Sequence, residues 1–159
     1  MPRSEDAPAF RPIGTVRTPW ATPAECPRNG RQPDAAPVCR VLLDPEFQPG
    51  LLGIDGFSHL ILLYWLDRPR PVDLVFTPPF DSERRGIFAT RGPARPNAIG
   101  LSVVALDGRD AADGALLVRF LDCVDGTPLL DVKPYLPSTD AEPGARMGWL
   151  APHATPRGR

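Results

Sequence analysis

Lysine is almost missing from this 159-residue chain: of 18 basic residues 17 are arginine, and Lys133 stands alone. Histidine is nearly as scarce. His59 and His153 are too few and too far apart for a zinc site of the H-E-x-x-H kind, and no metal is expected. The three cysteines, Cys26, Cys39 and Cys123, are odd in number, widely spaced and without a C-x-x-C pair. That excludes a disulfide or zinc framework and reads as reduced thiols in a cytoplasmic protein. No apolar run is long enough to span a membrane; the longest, Leu60 to Leu66, has the length of a strand. There is no G-x-G-x-x-G after a strand, no Walker loop and no G-x-S-x-G elbow. The opening Met-Pro-Arg-Ser-Glu-Asp carries acids and no apolar core, so a secretory signal is not expected. A net charge of −1 removes any global electrostatic case for nucleic acid, leaving only a local patch to supply one.

What the chain has in excess is proline, 22, and glycine, 14, which break long helices and favour short strands joined by turns. Length and even composition predict one domain, with a flexible arm over residues 1–9 and a tail over 141–159. Strands are expected at Ile13–Val16, Val38–Leu43, Val72–Phe76, Gly86–Thr90, Leu101–Leu106 and Leu116–Val124. Phe57 to Leu66 reads as a central strand buried on both faces. Asp44-Pro-Glu-Phe predicts a helical turn or two. Residues 21–37, with four prolines, form a long loop of the kind that often carries function. Six or seven short strands with little helix predict an all-β domain, a barrel or a sandwich.

The densest chemistry lies between Arg84 and Ser102. Arg84, Arg85, Arg91 and Arg95 fall within twelve positions without an acid, beside Thr90 and Asn97. Arginine offers a planar fork of donors, and Gly and Pro set turns that let a ligand approach main-chain N–H groups. An anionic or nucleotide-like ligand suits such a segment; a hairpin with solvated arginines is the alternative. A second dense stretch crowds Asp122, Asp125 and Asp131 with Lys133 and Tyr135 around the turn signal Asp125-Gly-Thr-Pro. A triad built on Ser58 and His59 is rejected, because neighbours on a strand point to opposite faces.

Five motifs then stand in order: Cys26-Pro-Arg-Asn-Gly, Gly56-Phe-Ser-His-Leu60, Gly86-Ile-Phe-Ala-Thr-Arg91, Arg95-Pro-Asn-Ala-Ile-Gly-Leu-Ser102 and Asp125-Gly-Thr-Pro-Leu-Leu-Asp-Val-Lys-Pro-Tyr135. Together they resemble the TsaA/TrmO-like family over about residues 10–140. The resemblance implies a small β-barrel that uses S-adenosyl-L-methionine to methylate N6 of the threonylcarbamoyl-modified adenosine beside the tRNA anticodon. It also implies a homodimer with the donor near the subunit interface. By the same resemblance Pro27, Arg28, Asn29, Arg68, Arg91, Leu101, Asp125, Gly126, Thr127 and Pro128 contact the donor. Arg68 is the looser match, since Asp67 stands where a histidine is common. Asp125 or Tyr135 is the candidate base, and Arg84, Arg85, Arg95, Asn97 and Lys133 are candidates for holding the acceptor. Longer members carry a C-terminal extension that helps to hold tRNA, so here the Arg84–Arg95 patch, doubled in a dimer, is expected to bear that load. The alternatives are the same fold acting on a small molecule or another nucleic acid, and a protein that binds the nucleoside cofactor without turnover.

Overall fold

Six strands close into an antiparallel barrel in the order β1-β2-β7-β6-β3-β8. They are β1 (Gly14–Arg17), β2 (Cys39–Leu43), β3 (His59–Trp65), β6 (Ile99–Arg109), β7 (Leu116–Arg119) and β8 (Thr127–Pro134). A separate two-residue ribbon pairs β4 (Val75–Phe76) with β5 (Arg85–Gly86) and starts the arginine-rich arm. This computed structural model describes residues 9–32, 36–68 and 70–154. Residues 1–8 of the expected 1–9 arm, and 155–159 of the tail, lie outside the described residues.

Alternation along each strand decides which side chains fill the barrel. In β3 Leu60, Leu62 and Tyr64 point inward and are buried, while Ile61, Leu63 and Trp65 point outward. The strand is therefore buried on one face and not on two; its outer face is apolar without being covered. Val16, Val41, Val104, Leu116, Val118 and Leu129 complete the interior, and Leu51 and Ile54 from the loop after β2 join it. The helical turn expected after Asp44 is present as a 3-10 segment over Pro45–Leu51.

Four local differences from the sequence reading have physical causes. Of the expected 86–90 strand only Gly86 is paired, as the second residue of β5; Ile87–Ala89 winds into a 3-10 turn that buries Ile87. Val72–Phe76 shrinks to Val75–Phe76 because β5 offers two partners and no more. The 116–124 run stops pairing at Arg119, since Phe120 takes a left-handed φ of 78° and swings the chain off the sheet. Its apolar character persists because Leu121 and Cys123 still pack into the core. Finally, Thr127–Pro134 is a full strand that closes the barrel between β1 and β3. Its prolines concealed it, but Pro128 and Pro134 sit near its two ends, where a lost N–H costs the ladder least.

Candidate functional site

Tyr64 anchors one corner of the barrel. Strand alternation points it inward, directly opposite Gly100 of β6. A Cβ at residue 100 would stand 2.1 Å from Tyr64 Cε2, so only glycine lets the ring cross there. The phenol meets Ser102 Oγ at 2.8 Å and donates to Asp122 Oδ1 at 2.9 Å. Burial, then the neighbouring Asp122 charge, pushes the Tyr64 phenol far above its ordinary range, so it stays a donor. The Asp122 carboxyl is also pushed up, first by desolvation. Against that act the Tyr64 hydrogen bond, the Arg91 charge and the main-chain N–H groups of Asp122 and Gly30.

The proline-rich loop is fastened to the same corner. Gly30 is buried so tightly that a Cβ there would lie 2.0 Å from the Phe120 carbonyl oxygen. Phe120 in turn carries the Arg31 guanidinium over its ring at 3.8 Å. Pro27 is half-buried, and Arg28 and Asn29 are exposed. Arg28 reaches over the Phe80 ring at 5.8 Å, and Asn29 Oδ1 accepts the Arg31 N–H at 2.9 Å. The Cys26 thiol is raised by burial and by Asp122 and Glu25, with Arg70 opposing. Cys39 and Cys123 are pushed up to about 11 and about 12 by burial, so both stay thiols at neutral pH.

The arm splits the sequence-predicted arginines into two kinds. Arg95 points inward to its own arm, its Nη1 donating to the carbonyls of Thr90 at 2.8 Å, Ile87 at 3.2 Å and Gly92 at 3.3 Å. Arg85 pairs with Asp81 at 2.8 Å and Glu83 at 3.1 Å and lies 4.7 Å from the Trp149 ring centre. Both are fixed by the protein. Arg84, Arg91 and Asn97 are exposed. Arg11, Arg17, Arg40, Arg109 and Arg119 also have carboxylate partners. Among the described residues Arg28, Arg68, Arg70, Arg84, Arg91 and Arg146 have none. The first five come from the 26–32 loop, the segment after β3 and the arm.

Asp125-Gly-Thr-Pro begins β8, three residues after Asp122. Asp125 Oδ1 accepts the Thr18 N–H at 3.0 Å and faces Arg17 Nε at 2.9 Å, while its own N–H donates to Trp20. Thr127 is buried, its hydroxyl donating to the Val124 carbonyl at 2.6 Å. The turn borders a shallow groove of about 520 Å³ on the outer wall of β1 and β2, lined in part by Arg17, Thr18, Arg40 and Asp125. Tyr135 and Lys133 are at the other end of β8, a strand of eight residues, roughly 25 Å at about 3.3 Å each. There Tyr135 meets His59 edge-on and Lys133 pairs with Asp131 at 2.7 Å, which raises the ammonium's pKa. One chain therefore does not bring the two candidate bases, Asp125 and Tyr135, together. Leu101 stands on the outer face of β6, 46% exposed, opposite Leu63.

Sequence reasoning missed the Tyr64–Ser102–Asp122 group. Its one visible signal was a hydroxylated ring on the strand face otherwise occupied by Leu60 and Leu62. It also missed the tail, where Gly148–His153 forms a 3-10 turn that docks on the arm. Trp149 stacks on Phe80 with an interplanar angle of 9°, and its Nε1 donates to the Ala89 carbonyl at 2.9 Å. Among the described residues no group of three or more His, Cys, Asp or Glu is arranged to hold a metal, and no helix is long and apolar enough to cross a membrane.

The profile of the family described as tRNA-methyltransferase O N-terminal domain matches residues 15–141. An Archaeoglobus fulgidus S-adenosyl-L-methionine-binding protein is 42% identical over 131 residues, covering 82% of this chain and 91% of its own length. A longer probable S-adenosyl-L-methionine-binding protein of the same organism is also 42% identical, and this chain spans 37% of it. A Pseudomonas aeruginosa protein named putative S-adenosylmethionine-dependent methyltransferase RcsF is 41% identical over 86% of this chain and 61% of its own. The crystal structure of TrmO from P. aeruginosa superposes with a TM-score of 0.71 at 36% identity, over 89% of this chain and 61% of that one. With its barrel, its five motifs and these matches, the chain belongs to the tRNA-methyltransferase O N-terminal domain family.

Proposed function

We propose that this protein is an S-adenosyl-L-methionine-dependent methyltransferase acting on N6 of the threonylcarbamoyl-modified adenosine next to the tRNA anticodon. The observation that carries the reading is that Arg28, Arg68, Arg70, Arg84 and Arg91, on the 26–32 loop, the segment after β3 and the arm, have no carboxylate partners among the described residues, in a chain of this family. The residues fit the donor's parts. Unpaired guanidinium groups suit its carboxylate, and the Asp122 and Asp125 carboxylates suit its ammonium or ribose hydroxyls. Pro27 and Leu101 offer apolar contact. We assign donor contact to Pro27, Arg28, Asn29, Arg68, Arg91, Leu101 and Asp125 to Pro128, and acceptor contact to Arg84 and Asn97. Arg85, Arg95 and Lys133 order the protein around them through their own ion pairs and carbonyl contacts.

When bound, the donor supplies an activated methyl group and a neutral thioether leaving group. The chain's own work is to hold methyl carbon and N6 within about 3–3.5 Å in line and to keep water out. The Arg91 charge and the Gly30 N–H of the 26–30 loop both favour the ionised form of Asp122, so the two sides of the site face one carboxylate. Asp125 is the proposed proton acceptor for N6; Tyr135 of the same chain is a strand-length away.

The outer face of β3 and β6 supports a homodimer. Trp65 pairs with Ile99 and Leu63 with Leu101, and Trp65, Ile99 and Leu101 are 48%, 41% and 46% exposed. An apolar sheet face of this kind is suited to a second copy. Leu101 on that face would bring the donor near the interface. A tRNA acceptor puts the protein in the cytoplasm. A second reading, a smaller acceptor on the same donor site, draws on the net charge of −1, which gives no global attraction for a polyanion. Titration calorimetry with S-adenosylhomocysteine tests the donor site: saturable heat weakened by Arg91→Ala is expected, and no heat with the unaltered protein overturns it.

A further inference from the structure

Arg70 lies two residues beyond Arg68, on the segment that leaves β3, and its Nη1 is a buried side-chain nitrogen with no hydrogen-bond partner. It is the one such orphan among the described residues. No carboxylate of the described residues lies within ion-pair distance of it. The other half-buried arginines are all engaged: Arg40 by Asp110 and Asp113, Arg85 by Asp81, Arg95 by three carbonyls. Buried polar groups in native proteins are nearly always satisfied, and a buried cationic donor left open is costly to keep. Such a group points to a ligand.

The charge of Arg70 reaches the Cys26 thiol, which places the guanidinium at the proline-rich loop beside the Tyr64–Asp122 corner. Asp122, the carboxylate of that corner, is already bonded by Tyr64 and the Gly30 N–H and makes no ion pair with Arg70. Arg68, in contrast, is exposed to solvent. A planar fork with one buried arm matches a small terminal carboxylate. A backbone phosphodiester is bulkier and better met by the exposed Arg84.

We propose that Arg70 is the carboxylate-binding residue of this site, an inference that rests on the donor-site reading above. Two carboxylates meet there in the proposed reaction: the amino-acid end of the donor and the threonyl end of the modified adenosine. The chemistry of recognition is the same for both, and the experiment separates them.

Arg70→Gln and Arg70→Lys are compared with the unaltered protein and with Arg109→Gln, an arginine on the far edge of β6. Calorimetry uses S-adenosylhomocysteine and 5′-methylthioadenosine, which keeps the thioether and adenosine but has no carboxylate. Methyl transfer to threonylcarbamoyl-modified tRNA then gives KM for the acceptor. If Arg70 holds the donor, Arg70→Gln weakens S-adenosylhomocysteine by roughly ten- to a hundredfold and leaves methylthioadenosine unchanged. If it holds the acceptor, both affinities are kept and the tRNA KM rises by a similar factor. Arg70→Lys, which retains charge without the fork, falls between in either case and serves if the Gln variant folds poorly. Equal weakening of both nucleosides, or no change in any of the three, overturns the proposal while leaving the donor site standing. An unaltered protein that binds neither nucleoside removes the donor site and the proposal with it.

Discussion

Tyr64→Phe removes one oxygen from the buried corner on which the loops are hung. Its hydroxyl makes two contacts, 2.8 Å to Ser102 and 2.9 Å to the Asp122 carboxylate, in a side chain 2% exposed. A buried bond to an ionised group contributes about 1.5–3 kcal/mol and a neutral one about 0.5–1.5. Offset by the lower desolvation cost of a phenyl ring, the net loss should be about 2–3 kcal/mol, read as a shift in the denaturation midpoint with unchanged slope. In a domain of this size that is about 5–10 °C in melting temperature. The loss should also depend on pH. The Asp122 pKa is already raised in the folded state, first by desolvation, and the Tyr64 bond holds it down. Removing the bond raises it further. Below the unfolded carboxylate value both proteins have Asp122 protonated and the extra penalty vanishes. As pH rises through the two folded pKa values the Phe variant falls behind, and the gap levels off above both. A difference under about 0.5 kcal/mol, or one that is flat with pH, would show that the hydroxyl does not hold this carboxylate.

Arg95→Ala should cost about 1.5–3 kcal/mol by releasing three arm carbonyls, whereas Arg84→Ala should leave the melting temperature unchanged and lower affinity for tRNA alone. Trp149→Ala, which strips the Phe80 stack and the Ala89 hydrogen bond, should loosen the arm, seen as faster proteolysis at Arg84 or Arg91. Leu101→Glu should yield a monomer in sedimentation at tens of micromolar; a dimer unaffected by a charge at residue 101 contradicts the proposed interface. Asp125→Asn should keep the Thr18 N–H contact and the fold but lower turnover by about a hundredfold; full activity would confine Asp125 to ordering its turn.

The barrel was legible where short apolar runs are bounded by turn signals, as in β1, β2 and β6; β3 was legible as a strand, but its unbroken apolar run hid that only one face is buried. It was hidden at β8, where prolines at positions 128 and 134 read as interruptions although both sit near strand ends. The 3-10 turn at Ile87–Ala89 was invisible because an apolar pair beside glycine fits a strand equally well. Charge type was readable and charge partnership was not. Arg85, Arg91 and Arg95 look alike in sequence, yet Arg85 is held by Asp81 and Arg95 by carbonyls of its own arm, leaving Arg91 without an ion pair among the described residues. Tyr64 and Asp122 are 58 residues apart, and only barrel closure brings them within hydrogen-bonding distance.

The most direct test of the central claim is methyl transfer from labelled S-adenosyl-L-methionine to purified tRNA, followed by digestion to nucleosides and mass spectrometry. Two tRNA pools are needed, one carrying the threonylcarbamoyl modification beside the anticodon and one lacking it. The account predicts label in a single nucleoside, the N6-methylated form of the threonylcarbamoyl adenosine, from the first pool alone. Label in neither pool, from protein that binds S-adenosylhomocysteine, contradicts the tRNA acceptor, and equal label in both contradicts recognition of the modified base.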